Sequence, residues 1–286
     1  MTIEEKLKSS CKLALDNNKE ESGCLFLLSS ITGWNTAELY FHQAESMKKE
    51  DEEKFDALLH QYIYENKPVQ YLTGEAFFYG YTFYVNDNCL IPRPETEQLV
   101  ENILMLYDRN MKGQKADVVD IGTGSGCISI TLSLEEANMN VTATDISEGA
   151  LDVARSNCKK LGGNVNFLQG DMLQPVMDKK FDILVSNPPY IPTTEVVDSL
   201  VKDNEPNVAL FGGNDGLYFY RIILENSVKI MKDKFIMGFE HGYDKSREIE
   251  DIARSFYPDA NIYTLKDYQG LDRMTFVIRG YKNDTK

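Results

Sequence analysis

The sequence lacks the features of disulfide-stabilised, zinc-binding and membrane-spanning proteins. Its five cysteines are scattered and none forms a Cys-x-x-Cys pair, so we expect free thiols and no metal site. No apolar run approaches the roughly 18 residues that a membrane-spanning helix needs. The first residues, Met1 to Lys6, lack the basic and apolar stretches of a secretory signal. We therefore expect a cytoplasmic protein that does not associate with a membrane.

Positive charge is also scarce. The chain carries 30 Lys and Arg residues against 45 Asp and Glu residues, which gives a formal net charge of −15. Proteins whose affinity for nucleic acid comes from neutralising phosphates have a basic surface. The charge balance therefore weighs against DNA or structured RNA as a stable partner.

The distribution of proline and of apolar residues divides the chain into different parts. No proline precedes Pro68, and apolar residues recur at helical spacing, so we expect a helical domain over residues 1–70. Asn35 or Thr36 is expected to cap one of its helices. The aromatic-rich stretch that follows contains a glycine and predicts a β-hairpin linker over residues 71–92.

Residues 93–286 are expected to form the main domain, opening with a helix capped at Pro94 or Thr96. Seven candidate strands follow, over residues 118–121, 141–144, 165–168, 183–185, 235–239, 262–265 and 275–278. Helical segments lie between most of them, which predicts a mainly parallel sheet with helices on both faces. Only a loop separates the last two strands, so the last strand is expected to be antiparallel. The predicted fold class is α/β, with a Rossmann-like seven-stranded sheet and a small N-terminal helical domain.

A glycine-rich turn follows the first of these strands, which carries Asp120. The turn consists of Gly122, Thr123, Gly124, Ser125 and Gly126. Glycine lets the backbone approach a ligand closely, and the helix that follows offers free N–H groups at its start. The spacing departs from the dinucleotide fingerprint, and the turn has no Lys or Arg to pair with a pyrophosphate. The turn therefore favours a ligand in which a nucleoside is joined to an amino acid. Asp120 would bind the ammonium group of that amino acid. A glycine-rich turn alone, however, is also common where a chain simply changes direction.

Acidic residues follow the second and third strands. Asp145 ends the second strand about 20 residues after the glycine turn, where a carboxylate takes both hydroxyls of a ribose. Asp171 follows the third strand and is placed to accept a hydrogen bond from an adenine amine. Either acid alone is as readily a helix cap or a turn residue. Together with the glycine turn they form a stronger pattern, because ligands of open α/β sheets bind at the carboxyl ends of the strands.

The most specific signal is the turn after the fourth strand, Asn187-Pro188-Pro189-Tyr190. Its prolines remove two N–H donors, so the turn exposes carbonyl oxygens as acceptors. The Asn187 side chain and the Pro188 carbonyl would accept the two N–H bonds of a planar amide or amino nitrogen, on which Tyr190 would stack. These contacts would orient the nitrogen toward a methyl carbon and stabilise the positive charge that develops on it. We predict that Asn187, Pro188 and Tyr190 are catalytic and that all four residues bind the substrate.

The glycine turn and the Asn-Pro-Pro-Tyr turn resemble those of the class I S-adenosylmethionine-dependent methyltransferases that modify planar nitrogens. Four further segments are similar to one branch, the peptide chain release factor N5-glutamine methyltransferases of the HemK/PrmC family: residues 71–75, 90–97, 209–221 and 240–242. The resemblance implies methyl transfer from S-adenosylmethionine to the glutamine side-chain amide in the Gly-Gly-Gln motif of class I peptide chain release factors. S-adenosylhomocysteine is the product of such a transfer.

The resemblance also implies roles for particular residues. The cofactor is expected to contact the glycine turn, Asp145 with Ile146, and Asp171 with Met172, and to lie next to the asparagine of the Asn-Pro-Pro-Tyr turn. The position after Asp171 is often aromatic in the family, so Met172 departs from its pattern. Phe78 aligns with an aromatic residue that walls the active site. The N-terminal helices are similar in length and character to a release-factor-binding domain, and a monomer is expected.

Two other interpretations stay open. An N-methyltransferase acting on adenine or guanine in nucleic acid would use the same turn, but it is expected to have a basic channel for a flipped or single-stranded base. A non-catalytic cofactor-binding protein would bind the cofactor without transferring a methyl group. The net charge argues against the first interpretation, and the presence of the Asn-Pro-Pro-Tyr turn beside the glycine turn argues against the second.

Overall fold

The computed structural model describes residues 1–281. The helices are α1 (Ile3–Asp16), α2 (Glu21–Thr32), α3 (Thr36–Phe41), α4 (Lys49–Tyr64), α5 (Val69–Thr73), α6 (Pro94–Met111), α7 (Cys127–Glu135), α8 (Glu148–Leu161), α9 (Ser199–Lys202), α10 (Tyr218–Ile230) and α11 (Ser246–Phe256). The strands are β1 (Glu75–Phe78), β2 (Tyr81–Tyr84), β3 (Ala116–Ile121), β4 (Met139–Asp145), β5 (Val165–Gln169), β6 (Phe181–Ser186), β7 (Met231–Glu240), β8 (Asn261–Lys266) and β9 (Asp272–Arg279). Among these described residues, no helix combines the length and the apolar character required to span a bilayer.

The chain forms two compact units. Unit 1 comprises Met1–Glu75 together with Asp198–Asn204, and unit 2 comprises Ala76–Val197 and the described residues from Glu205 onward. The chain thus leaves unit 2 after β6, contributes the short helix α9 to unit 1, and returns. The division into a substrate-binding domain, a linker and a catalytic domain stays a prediction about function.

Unit 1 is helical, as predicted. Asn35 caps α3: its side-chain oxygen accepts from the backbone N–H of Glu38, and the Glu38 side chain returns a bond to the cap. Such a cap contributes about 1 kcal/mol. The apolar faces of the helices meet in a core that includes Leu27, Leu28 and Phe55, each fully buried. Burying a side chain of this kind contributes about 1.5–3 kcal/mol, so this core is the main source of stability in the unit.

Unit 2 contains a seven-stranded sheet in the order β5-β4-β3-β6-β7-β9-β8. The pairs from β5 to β7 are parallel, while β9 runs antiparallel to both β7 and β8. All seven predicted strands are present, and the expected antiparallel last strand is confirmed. The strand order reverses between β3 and β6, and such a switch point places a crevice at the carboxyl ends of the strands.

Helices cover both faces of this sheet. Successive residues of a strand point to opposite faces, so neighbouring residues pack against different helices. Val118 packs in the cluster formed with α6 and α7, whereas its neighbour Val119 packs in the cluster formed with α10 and α11. Both valines are fully buried. This two-sided burial explains the nearly continuous apolar sequence of the central strands.

Within unit 2, strand β2 of the hairpin is bonded to Asn157 of α8. The Asn157 Oδ1 atom accepts from the Tyr84 backbone N–H at 2.7 Å, and its Nδ2 atom donates to the Tyr84 carbonyl at 2.9 Å. Nδ2 also donates to the Ser125 carbonyl in the glycine turn at 2.9 Å. The Asn157 side chain, fully buried, therefore joins the hairpin to the glycine turn.

The N-cap of helix α6 lies one residue before Pro94, the earlier of the two predicted caps. Its N-cap is Arg93 and Pro94 is the first helical residue, where the missing N–H has no partner to lose. The expectation that Pro94 or Thr96 is the cap is therefore wrong. The Thr96 hydroxyl is committed elsewhere, because it donates to Glu240. Arg93 is anchored by an ion pair with the buried Glu205.

Candidate functional site

A cavity lies at the carboxyl ends of the parallel strands of unit 2. Most of the residues that the sequence predicted for cofactor and substrate line its wall: Gly122, Thr123, Gly124, Ser125, Asp145, Ile146, Asp171, Met172, Asn187 and Pro189. The structure thus brings the glycine turn, the two acidic positions and the Asn-Pro-Pro-Tyr turn to one site, as expected from the switch point between β3 and β6.

Five predicted residues do not line this cavity. Gly126, Pro188 and Tyr190 adjoin wall residues in the sequence, and Asp120 lies two residues before Gly122, whereas Phe78 lies in the core of unit 2. Phe78 is 1% exposed and packs edge-on against Phe83, with ring centroids 6.0 Å apart. Inward and outward positions alternate along β1, and the register turns Phe78 inward. The structure therefore does not bring Phe78 to the site.

Other wall residues were not predicted from the sequence. The segment before α6 and the first turn of α6 contribute Asn88, Cys89, Leu90, Pro92, Arg93 and Thr96, and the loop after the Asn-Pro-Pro-Tyr turn contributes Pro206, Val208 and Ala209. Some of these residues fall in the segments that resemble a family pattern, 90–97 and 209–221, but the resemblance gave them no role in the cavity. No spacing signal indicates such residues, because their proximity to the cavity depends on the path of the loops.

The glycine turn is shaped by both conformation and space. Gly126 has φ +82°, and a Cβ atom there would lie 2.6 Å from the Ile130 Cδ1 atom, so a side chain is excluded. The Gly124 N–H donates to Asp145 Oδ2 at 2.8 Å, and the Ser147 N–H donates to Asp145 Oδ1 at 2.9 Å. Burial raises the pKa of Asp145, while these backbone bonds oppose the rise. A carboxylate has about four lone-pair positions, so this fixed group keeps acceptor capacity for a ligand.

Buried polar atoms without a hydrogen-bond partner mark the same turn. Within residues 1–281 these side-chain atoms are Ser125 Oγ in the turn, Asp120 Oδ1 at the end of β3 and Thr131 Oγ1 in α7. The other Asp120 oxygen accepts from Thr123 Oγ1 at 2.6 Å, and burial raises the pKa of Asp120 to about 7. Buried polar atoms are nearly always satisfied, so the unpaired Ser125 Oγ of a wall residue, with the unpaired Asp120 Oδ1 just before the turn, indicates a ligand with polar groups.

Residues 211–216 pack against the Asn-Pro-Pro-Tyr turn. The Gly212 N–H donates to the Ile191 carbonyl at 2.8 Å, just after the turn. A Cβ atom at Gly216, where φ is +77°, would lie 2.3 Å from the Tyr190 carbonyl oxygen. Asp215 is paired with Arg221, whose hydrogen bonds lower the pKa of that carboxyl to about 2. This packing explains the Gly-Gly-x-Asp-Gly sequence.

The Asn187 side chain is part of a hydrogen-bonded chain of three residues. Asn187 Nδ2 donates to Thr96 Oγ1 at 3.1 Å, and Thr96 Oγ1 donates to Glu240 Oε2 at 2.6 Å. Glu240 is 1% exposed, and burial raises its pKa to about 7. The bond to Thr96 fixes the position of the amide nitrogen, and the Asn187 carbonyl oxygen is the other polar atom of this wall residue.

The sheet order, the antiparallel last strand and the glycine turn at the switch point define a class I, Rossmann-like methyltransferase. The 16S rRNA N2 G1207 methyltransferase of T. thermophilus, solved in complex with AdoMet and guanosine, shares this fold with a TM-score of 0.51 and 15% identity over 72% of this chain and 50% of that chain. A model described as "Methyltransferase small domain" matches residues 96–206, and one described as "PrmC N-terminal domain" matches residues 11–74.

The curated relatives identify the family more specifically than the fold does. The release factor glutamine methyltransferase of Bacillus subtilis is 41% identical over 278 residues, covering 95% of this chain and 96% of its own length. The enzyme of the same name from Bacillus anthracis is 38% identical over 280 residues, with 96% and 99% covered. The chain belongs to the release factor glutamine methyltransferase family, and it is an S-adenosylmethionine-dependent enzyme.

Proposed function

We propose that the chain transfers a methyl group from S-adenosylmethionine to the side-chain amide nitrogen, N5, of the glutamine in the Gly-Gly-Gln motif of class I peptide chain release factors. The observation that carries this proposal is the Asn187 carboxamide, held at the wall of the cavity with its nitrogen bonded to Thr96. An amide substrate needs acceptors for its N–H groups, and in this proposal the carbonyl oxygen of Asn187 is one. The names of the relatives support this choice of substrate.

The residues around the cavity fit S-adenosylmethionine. In the proposed arrangement the Asp145 carboxylate accepts from the ribose hydroxyls, and Asp171 and Met172 contact the adenine. The unpaired oxygens of Asp120 and Ser125 accept from donors of the methionine portion, where an ammonium group would lower the raised pKa of Asp120. When bound, the cofactor supplies a sulfonium-activated methyl group and leaves as a neutral thioether.

The residues of the Asn-Pro-Pro-Tyr turn act on the substrate amide. An amide nitrogen is a poor nucleophile because its lone pair is delocalised into the carbonyl group. Asn187 Oδ1 and the Pro188 carbonyl accept its two N–H bonds, which aims the lone pair and stabilises the positive charge that develops during attack. Tyr190 holds the amide plane by stacking. The proton then leaves the positively charged nitrogen for water, so a tuned general base is not needed.

The proposal extends to the partner and the compartment. Unit 1 is proposed to dock the release factor, and the enzyme is proposed to act as a cytoplasmic monomer without a stable nucleic acid partner. The formal net charge of −15 supports the last point. The likeness to an rRNA methyltransferase at 15% identity concerns the fold alone and does not favour a nucleic acid substrate.

Radiolabelled S-adenosylmethionine tests the proposal directly. The protein is incubated with purified class I release factors and, in parallel, with tRNA, rRNA and DNA. We expect label in the release factor only, located by mass spectrometry in the peptide that contains Gly-Gly-Gln. A release factor with alanine in place of that glutamine is the control and should stay unlabelled. Label in a nucleic acid, or cofactor binding without transfer to any acceptor, would refute the proposal.

The cofactor site gives a separate prediction. Asp145→Ala is expected to weaken S-adenosylmethionine binding by about 1–3 kcal/mol, because two ribose hydroxyls lose a charged acceptor. Isothermal titration calorimetry measures the change, and Asp178→Ala, at an exposed acid that does not line the cavity, is the matched control. Unchanged affinity in a folded Asp145→Ala variant would remove this residue from the cofactor site.

A further inference from the structure

Two buried polar residues beside the Asn-Pro-Pro-Tyr turn hydrogen-bond in series, and one of them, Thr96, also lines the cavity. Thr96 lies in the first turn of α6 and Glu240 ends β7, and their side chains are 2% and 1% exposed. The series runs from Asn187 Nδ2 through Thr96 Oγ1 to Glu240 Oε2, with distances of 3.1 and 2.6 Å. A buried carboxylate is costly unless it is compensated, so its presence behind a substrate-binding residue calls for a reason.

The direction of these bonds is determined by the number of protons. A threonine hydroxyl has one hydrogen, and an ionised carboxylate only accepts. When Thr96 gives its hydrogen to Glu240, its oxygen can only accept, so the Asn187 side chain has to present its NH₂ group. A carboxamide has nearly the same shape when it is turned by 180°, so packing alone does not choose between its two orientations. The charge on Glu240 makes that choice.

We propose that Thr96 and Glu240 are positioning residues that hold the Asn187 carboxamide with its carbonyl oxygen toward the substrate nitrogen. In the opposite orientation the NH₂ group would face the N–H groups of the substrate amide, and donor would meet donor. The inference deepens the proposed function and rests on it, because it assumes that the substrate presents N–H groups to Asn187. It concerns residues that contact neither reacting atom and act through Asn187.

The backbone around Glu240 supports this role. The Tyr220 hydroxyl donates to the Glu240 carbonyl oxygen at 2.6 Å, which fixes the end of β7. The Arg273 guanidinium counteracts the effect of burial on the pKa of Glu240 and favours the ionised form. In alkaline buffer the carboxyl group is therefore an acceptor, and the direction of the series is set.

Variants that exchange the acid at Glu240 and the amide at Asn187 test the direction of the hydrogen bonds in the series. Glu240→Gln removes the obligatory acceptor, because its carboxamide can present either an oxygen or an NH₂ group to Thr96, and the orientation of the Asn187 carboxamide is then no longer fixed. Asn187→Asp leaves two carboxylates competing for one hydroxyl. Each single variant is expected to lower the single-turnover rate about 10-fold or more, since small errors in position are costly. In the double variant, Asn187→Asp with Glu240→Gln, the introduced glutamine donates to Thr96 and Thr96 donates to the introduced aspartate. An oxygen of that aspartate still faces the substrate, so we expect the double variant to be faster than either single variant.

Matched variants separate bond direction from charge. Glu95 also acts electrostatically on Glu240, so Asn187→Asp combined with Glu95→Gln restores the same net charge without entering the series. We expect no recovery in that combination. Thr96→Ser should keep the rate within about 3-fold of wild type, whereas Thr96→Val should lose about 10-fold or more. Equal recovery with Glu95→Gln, or a Thr96→Val variant as fast as wild type, would overturn the proposal.

A readout without catalysis separates this proposal from the proposed function. In protein labelled with ¹⁵N at asparagine, the Asn187 NH₂ protons should exchange with solvent more slowly than those of surface asparagines. Thr96→Val should accelerate this exchange measurably, because it removes the Asn187–Thr96 bond while leaving the interaction of Asn187 with Glu240. Fast exchange in the wild-type protein would contradict the inference. Slow exchange in a wild-type protein that methylates no release factor would instead contradict the proposed function alone.

Discussion

Asn187→Ala is expected to slow methyl transfer to the release factor by about 10²-fold or more, which corresponds to about 3 kcal/mol in the barrier. The variant loses the acceptor that orients the substrate amide and stabilises the charge developing on its nitrogen. S-adenosylmethionine affinity should stay nearly unchanged, because the side chain is assigned mainly to the substrate. Single-turnover rates at saturating cofactor, with calorimetry on the same samples, measure both quantities.

The same assay ranks the neighbouring variants. Asn187→Asp should retain partial activity, because it keeps an acceptor but loses the NH₂ group that now donates to Thr96. Tyr190→Ala should fall between Asn187→Asp and Asn187→Ala, since it removes the stacking surface and leaves both acceptors. If Asn187→Ala transfers the methyl group at nearly the wild-type rate, the substrate amide is held by other residues and the mechanism has to be withdrawn.

A truncated chain that begins at Pro68 is expected to lose most of its kcat/KM on an intact release factor. Unit 1 is proposed to dock the protein substrate, and docking contributes binding energy that positions the glutamine. The cofactor affinity should persist, because the residues that line the cavity belong to unit 2. Steady-state kinetics with the intact release factor, together with calorimetric titration of the cofactor, measure the two effects.

A short peptide that contains Gly-Gly-Gln serves as the control substrate for the truncation. It carries no docking surface, so the full chain and the truncated chain should methylate it at similar rates. The truncation also removes Asn66, whose carbonyl accepts from Asn204 in the returning segment, so cofactor affinity and peptide activity have to be checked first. If the truncated chain methylates the intact release factor as well as the full chain does, unit 1 has no docking role.

The order and type of the main elements could be predicted from the sequence because they depend on local patterns. The central strands are apolar runs bounded by turn residues, and the connections between them leave little choice of topology. Asp145, which ends β4, and Asn187, which directly follows β6, could be predicted as site residues from their places at the strand ends. Once a parallel sheet is expected, the carboxyl ends of its strands have to meet at one edge.

The contacts that were missed depend on distant pairs or on register. Thr96 and Glu240 are 144 residues apart, and nothing near Thr96 distinguishes a hydroxyl that binds a distant carboxylate from one that caps a helix. Phe78 and Phe77 are chemically identical, yet one is buried and the other is 64% exposed. A shift of one residue in β1 exchanges their environments, and the sequence alone does not define that register.

The Asn157 side chain has a consequence for the order of folding. Its bonds to Tyr84 span 73 residues and those to Ser125 span 32, so three distant stretches of chain have to arrive before this amide is satisfied. An amide buried without partners costs about 1–3 kcal/mol, so intermediates in which only one stretch has arrived are disfavoured. We therefore expect the packing of the hairpin and that of the glycine turn to be coupled through Asn157. A ligand that binds the glycine turn accordingly stabilises the hairpin as well, although the hairpin does not line the cavity.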